Sequence, residues 1–590
     1  MFQSDSYRWL PMAATLAAAM AGPACAGEGG ASAATRPGTP SPKAYRPIPL
    51  TPDGNTSMSL LKWKPVELSF TAENQDSNSF VRIRPDKRDD LLTATFTGTG
   101  GEAKGKSMTL IGFWDGGQDW KVRFAPPCAG AWHYESQSSD AGLNGKAGDF
   151  AVREWTADEL KANPVGRGFV RVCKTGPRAG RYFECADGTP FLWIGDTWWN
   201  WGGSKPTLEE FQKVVDDRAR KGFTVGQLYV HGWGRSVLDS GGTVLDMGRM
   251  RRLDAMISYA NAKGITVMLS PWWGGKGVAE RIGAERMRRL TRYLMHRYGA
   301  YNVIWILASE YNLYNYGGMG LQFWKDYGAM MKKEDPYERA VSVHPTPPGW
   351  EGGREAPQWS TADVLHDQPW LDYNQSQAGH GKAVNELVPS IVTGSYAKKP
   401  AKPIVVTEAW YEFILDNAPA RDVRLAAWSA ILSGAAGHTY GGGHVWVAHT
   451  PASPASPMPW PLDANFTVNT LDYPGAVSMG HLARFFSGIQ WWRLEPHPEL
   501  VLDYPQKFCA AVPGEEYVLY LRYGSGVTVD LSGTAKTDTF ECRWFNPVTG
   551  KYQAGSKTQG GTRVRLGAPP VKGVDNLNQQ DWVLHIRKLK

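Results

Sequence analysis

Two apolar runs in this chain each close on a glutamate: Val303-Ile304-Trp305-Ile306-Leu307-Ala308-Ser309-Glu310 and Pro403-Ile404-Val405-Val406-Thr407-Glu408. Each run predicts a strand buried on both faces, as found in parallel sheets. A carboxylate at the C-terminal end of a barrel strand sits where barrel enzymes keep their reacting groups. Two of them on different strands of one barrel can cleave a glycosidic bond. One protonates the leaving oxygen, and the other attacks or stabilises the oxocarbenium-like centre. Retention of configuration needs the groups about 5–5.5 Å apart. It also needs their pKa values pushed apart, with Glu310 protonated as acid/base and Glu408 ionised as nucleophile. Burial beside Tyr311 would raise the first, and hydrogen bonds from Tyr or His would hold the second down. Glu412 is the rival nucleophile, but it falls beyond the strand end and is expected to face away.

Further candidates line the same strand ends. Asp196 and Trp198 follow the first predicted strand, where Asp196 either binds sugar hydroxyls or caps a turn. Tyr229 and His231 end the second strand, and His344 and His438 close two others. Each histidine lines the pocket or is satisfied at the barrel rim. Asp372 and His380 are assigned to the loop of strand six. Trp272, Trp273, Trp410, Tyr440 and Trp446 are stacking platforms for sugar rings or core aromatics. No spacing of His, Cys or carboxylate supports a metal site, and no cofactor is called for.

The elements that would position these residues are read from periodicity. From Trp63 to about Val152 short strands are separated by Gly, Asp, Asn and Ser turns, which predicts a β-sandwich over 61–156. A hairpin, Phe169–Cys173 with Tyr182–Cys185, then lids a run of strand–helix alternation over 165–492. Strands are expected at Phe191–Gly195, Thr224–Val230, Ile265–Ser270, Val303–Glu310, Ala340–His344, Trp370–Tyr373, Pro403–Glu408 and Gly437–Tyr440. Helical patterns intervene at Met250–Lys263, Ala279–Arg297, Leu321–Lys333 and Val423–Leu432. Thr207-Leu208-Glu209-Glu210 has the form of a capping box. Eight units in roughly 300 residues predict a (β/α)8 TIM barrel. Alternating runs after Pro496 predict a second β-sandwich over 496–590, acting as a buttress.

Composition fits this reading. A chain of 590 residues with 42% apolar content can fill several cores. Its net charge of +7, with no basic run, argues against nucleic acid as a partner. The 26 tryptophans suit a carbohydrate handler. Residues 1–26 read as a signal peptide, with Arg8, the apolar Leu10–Met20 and the cleavage site Ala24-Cys25-Ala26. The run is too short to span a bilayer. Export to periplasm or medium is expected. Lipid anchoring at Cys25 is disfavoured because Gly22-Pro23-Ala24 lacks the leucine of a lipobox. Residues 27–60 read as a flexible linker, most clearly the Gly, Ala, Ser, Thr and Pro of 27–45. Cys173 with Cys185, and Cys509 with Cys542, form disulfides or remain free thiols, with Cys128 left over.

The stretch Phe191-Leu192-Trp193-Ile194-Gly195-Asp196-Thr197-Trp198, followed by Arg218-Ala219-Arg220-Lys221-Gly222-Phe223, resembles the opening of the apiosidase-like glycoside hydrolase barrels, long catalogued as a domain of unknown function. Gly112–Pro126 with Gly130-Ala131-Trp132-His133-Tyr134 resembles the Ig-like domain that often precedes them. Trp544–Gly550 with Asp581-Trp582-Val583-Leu584 resembles the small β domain, labelled as collagen-binding, that often follows. The resemblance implies an acid/base after strand four and a nucleophile after strand seven, the places of Glu310 and Glu408. It departs at Ser309, where related barrels carry an asparagine that contacts the sugar 2-hydroxyl.

The expected activity is hydrolysis of a plant or microbial polysaccharide or oligosaccharide by an exported retaining enzyme. Loops 344–370 and 441–472 are expected to select the sugar. The alternatives are a non-catalytic carbohydrate-binding protein on the same barrel, or a matrix binder acting through the terminal β domain.

Overall fold

The computed structural model describes residues 48–50, 60–74, 80, 92–203, 206–231, 237–239, 242–274, 282–347, 359–381, 383–414, 418–450, 468–569 and 580–589. Residues 1–26, expected as a signal peptide, and residues 27–47 of the expected linker lie outside these residues, as do 348–358 and 451–467 within the two long loops. Ile48–Leu50, also assigned to the linker, is instead a strand that pairs in parallel with Val66–Leu68. Its Ile and Leu are buried while the intervening Pro faces out, so the short segment still buries one apolar face.

The N-terminal strands form two facing sheets. One orders Ile48–Leu50, Val66–Thr71, Asp119–Phe124 and Phe113–Gly116. The other orders Leu60–Leu61, Ala147–Arg153, Gly130–Gln137, Thr93–Gly100 and Ser107–Ile111. Phe96 stacks on Phe124 at 4.1 Å and Trp132 meets Phe124 edge-on at 5.1 Å, so aromatic side chains from both sheets share one core.

The central domain is a nearly closed parallel barrel. Strand one is Trp193–Thr197, strand two Val225–His231, strand three Thr266–Trp272, strand four Val303–Ile306 and strand five Val341–Ser342. Strand six is Asn374–Gly379, strand seven Ile404–Ala409 and strand eight Gly437–Gly442. Neighbouring strands run 5-4-3-2-1-8-7-6. The seam between five and six is tied by Asp372 N to Val341 O at 3.0 Å, and by Ser342 Oγ to Tyr373 O at 2.7 Å. Thr207 and Glu210 make the expected capping box at the start of the helix Leu208–Arg220. Strand six differs from expectation: Trp370–Tyr373 precedes it, and the strand itself is Asn-Gln-Ser-Gln-Ala-Gly. A three-stranded sheet of Arg171–Val172, Phe183–Glu184 and Pro190–Phe191 covers the N-terminal mouth, where Phe183 packs on Trp193 and Tyr373.

The C-terminal domain is a six-stranded sheet with a separate two-stranded pair, Val527–Asp530 and Arg563–Leu566. It docks on the barrel through Asp581, which takes Arg424 in a bidentate pair at 2.7 and 2.8 Å and accepts from Tyr520 at 2.8 Å. All five described cysteines are free thiols. Cys509 and Cys542 lie on strands separated by two others in the sheet, so strand spacing alone keeps them apart. Among the described residues no helix is long and apolar enough to cross a membrane.

The N-terminal sandwich is fixed to the barrel by buried charge. Arg297 pairs with Asp254 at 2.6 Å and with Asp115 at 2.7 Å, and Arg123 reaches Asp254 at 3.2 Å. Burial opposes ionisation of Asp254, but the two guanidinium groups outweigh it and bring its carboxyl to about 2. Asp254→Ala would take one carboxylate from each of two buried cations, leaving Arg297 to Asp115 and Arg123 to Glu67 at 2.7 Å each, and should cost up to about 3 kcal/mol. Urea unfolding should show that loss. Because the folded pKa is depressed, Asp254's contribution is full above its unfolded value. It should fade as pH falls toward 2, and this part of the acid sensitivity should vanish in the variant.

Candidate active site

Glu408 is the penultimate residue of strand seven, and Glu310 follows strand four by four residues. Backbone pairing continues past strand four: Leu307 N donates to Ser342 O, and Ser309 N donates to Trp272 O, each at 2.9 Å. Glu310 itself has φ 50°, a left-handed conformation costly for a non-glycine residue and found most often where a site over-determines it. Gly274 lies against that turn. A Cβ there would come within 2.8 Å of both the Ser309 and Glu310 carbonyl oxygens, so only glycine allows the approach.

The two glutamates share one amide. Gln377 Nε2, from strand six, lies 2.8 Å from Glu408 Oε1 and 3.4 Å from Glu310 Oε1. Those two oxygens are therefore separated by no more than the two spans end to end, 6.2 Å.

Their surroundings differ sharply. Glu408 Oε1 also accepts from His380 Nε2 at 3.0 Å. Its Oε2 accepts from Trp199 Nε1 at 3.2 Å and faces His344 Nε2 at 3.4 Å. His344 is held from behind by the Thr407 hydroxyl at 2.9 Å, which leaves Nε2 directed at the carboxylate. Burial works to raise the Glu408 carboxyl. Hydrogen bonds from His344 and His380, and the charge of those rings, outweigh it and hold the group well below the usual carboxylate range. Among the described residues, Glu310 has Trp273 Nε1 at 2.9 Å and the longer Gln377 contact. Burial first, then the nearby Glu408 charge, push its carboxyl up to about 7. Below about pH 7 this arrangement places the proton on Glu310 and leaves Glu408 ionised.

Among the residues expected to bind substrate, Trp273, His344 and His380 reach the glutamates. Asp196 does not: it is fully buried, with Arg218 Nε and Trp198 Nε1 both 2.8 Å from its Oδ2. Trp198 is packed behind it against Phe211. Trp272 is also core, its Nε1 donating to Met287 O and Thr291 Oγ1. His231 is buried beside it, the rings 4.8 Å apart. Tyr229 donates to Asn200 Oδ1 at 2.6 Å inside the barrel, and Tyr311 is fully buried against Trp324. Trp410 donates to Asn385 Oδ1 at 3.0 Å. Tyr440 donates to Glu412 Oε2 at 2.7 Å, and Gly475 N holds the other Glu412 oxygen at 2.8 Å, so Glu412 is tied into the rim. His438 lies fully buried in the layer outside strand eight, where burial lowers its pKa to about 3. Trp446 packs 5.4 Å from Tyr411. Asp372 lies at the opposite end of the barrel, because strand six starts after it. It bonds Lys332 at 2.7 Å and the Val341 amide at 2.8 Å.

Three contributors were not singled out from sequence: Gln377, Trp199 and Tyr411. Trp199 Nε1 donates both to Glu408 and, at 3.0 Å, to the Tyr411 hydroxyl, while the Tyr411 ring lies 4.3 Å from that of His380. Gly441 leaves room for that ring, since a Cβ there would come within 2.0 Å of it. Only Trp199 carried a signal, as the neighbour of Trp198 after strand one.

This geometry fixes the direction of one titration. Replacing Glu408 with Gln removes the negative charge that helps to raise Glu310, so Glu310 should ionise at lower pH. Carbon-13 NMR of labelled glutamate carboxyls, wild type against Glu408→Gln, measures this directly.

Residues 177–493 match the family described as "Apiosidase-like, catalytic domain". Residues 59–139 match "Domain of unknown function (DUF5060)", and 496–587 match "Putative collagen-binding domain of a collagenase". No curated protein matches the chain. Among solved structures, a chain titled "Glycoside hydrolase" is 19% identical at TM-score 0.60, over 72% of this chain and 98% of its own. A glycoside hydrolase family 5 protein from Bacteroides vulgatus is 20% identical at TM-score 0.61, over 72% and 94%. Another Bacteroides vulgatus chain, titled "putative glycoside hydrolase", is 17% identical at TM-score 0.65, over 90% and 100%. At these identities the neighbours share the fold, while the family match spans more than half of the sequence: the chain belongs to the apiosidase-like family.

Proposed function

We propose that the protein is an exported retaining glycoside hydrolase, with Glu310 as acid/base and Glu408 as nucleophile, acting on a plant or microbial poly- or oligosaccharide. The observation that carries this reading is the pair of carboxyls bridged by Gln377. Their bridged oxygens are at most 6.2 Å apart, a close approach that suits the retaining spacing of about 5–5.5 Å between carboxyl groups. The split in protonation supports the same roles. Glu310 gives its proton to the leaving oxygen as Glu408 forms a glycosyl ester. Glu310 then takes a proton from the water that hydrolyses that ester. Fixed donors around Glu408 make it a stable leaving carboxylate in the second step, and Trp273 beside Glu310 suits the aromatic contact that sugars favour. Domain assignments of 61–156, 165–492 and 496–590 accompany this reading, as does removal of residues 1–26 on export.

Glu408→Gln should lose at least about 1,000-fold in kcat on aryl glycosides. Glu310→Ala should retain measurable turnover of substrates with good leaving groups, and azide should accelerate it, trapping a glycosyl azide of retained configuration. A first-formed product of inverted configuration, seen by proton NMR, would reject the nucleophile assignment. The pH profile of kcat/KM should fall above about 7 as Glu310 loses its proton, approaching tenfold per pH unit. On the acid side it should fall only once Glu408 begins to protonate, well below the usual carboxylate range.

A further inference from the structure

Gln377 is 1% exposed, and its two amide atoms have opposite fates. Its nitrogen serves both glutamates. An ionised carboxylate only accepts, so the nitrogen end must face Glu408 and the orientation of the amide is chemically determined. Its carbonyl oxygen, Oε1, is buried with no partner among the described residues. Buried carbonyls are rarely left so, because losing water without gaining a donor is costly. Ser309 Oγ, the side chain immediately before Glu310, is likewise buried and unpartnered, as is His380 Nδ1 beside Glu408. Unmet hydrogen-bonding capacity thus gathers around the carboxyl pair.

The position of Oε1 restricts what can meet it. The amide nitrogen touches both carboxyls, and on the reading above those flank the anomeric carbon. Oε1, bonded to the same carbon as that nitrogen, is then beside the anomeric centre as well. It is an acceptor and needs a donor. Of the groups next to an anomeric carbon, the ring oxygen has no hydrogen and the glycosidic oxygen takes its proton from Glu310. The hydroxyl on carbon 2 remains. Resting on the glycosidase reading, we propose that Gln377 Oε1 accepts a hydrogen bond from the 2-hydroxyl of the sugar being cleaved, while its Nε2 holds the two carboxyls in register. The substrate class is therefore a glycoside with a free 2-hydroxyl, and a strand-six glutamine reads it.

The test compares matched aryl glycosides with and without the 2-hydroxyl, each rate divided by its spontaneous hydrolysis rate. Wild type should lose about 10- to 100-fold in kcat/KM without the hydroxyl, the range expected when a hydrogen bond near developing charge is lost. Gln377→Met, which keeps the length and removes both polar atoms, should lose a comparable factor on the hydroxylated substrate and discriminate between the two by less than about threefold. Its basic pH limb should also move upward, because a hydrogen bond that favours ionised Glu310 is gone. Full 2-hydroxyl discrimination retained in the variant would overturn the proposal. So would a wild-type enzyme indifferent to the hydroxyl, an outcome that does not depend on the variant folding. Absence of turnover by wild type on any glycoside would instead fall on the glycosidase reading itself.

Discussion

Two carboxyl groups bridged by one amide in the barrel mouth cannot both be charged unless something offsets the repulsion. This constraint organises the centre of the protein. The offset falls mostly on one side: Trp199 after strand one, His344 after strand five, Gln377 on strand six and His380 just beyond it all point donors at Glu408. Among the described residues Glu310 keeps a single short donor, Trp273. The asymmetry puts the mobile proton on one residue. It is created by residues from separate strands, so it exists only when the barrel is assembled.

The remainder of the chain keeps that assembly rigid. Arg218 holds Asp196 behind strand one and also donates to Leu471 O, tying a helix of the outer ring to the segment that follows strand eight. The seam between strands five and six, the weakest part of the sheet, is tied through Asp372 and Ser342. The flanking β domains attach through charge pairs in which each buried cation meets a carboxylate. Such pairs fix geometry more than they add stability, since desolvation consumes much of their attraction. The left-handed backbone at Glu310 is a local cost of aiming that side chain, held by the close approach of Gly274.

The barrel was legible where its strands are apolar. Strands one, two, four and seven declare themselves through runs that the interior and the helix layer bury from both sides, and the residues at their ends mark the mouth. Strand six did not, because Asn374-Gln375-Ser376-Gln377-Ala378-Gly379 is polar yet buried throughout. Its side chains bond polar groups around the strand and in the site, as with Asn374 on His366 and Gln375 on the Tyr373 hydroxyl. An apolar-run criterion therefore selected Trp370–Tyr373 and misplaced Asp372 to the wrong end. Among the aromatics, sequence could locate strand ends but not side-chain direction. Trp272 and Trp273 are adjacent, and one turns into the core while the other meets Glu310.

The central claim is that Glu408 is the group that bonds to the sugar. An activated 2-deoxy-2-fluoro glycoside of a sugar the enzyme turns over should accumulate the covalent intermediate. Mass spectrometry of the digested protein should then place the added mass on the peptide carrying Glu408. Label on Glu310, Glu412 or any other residue, with Glu408 unmodified, would contradict the account.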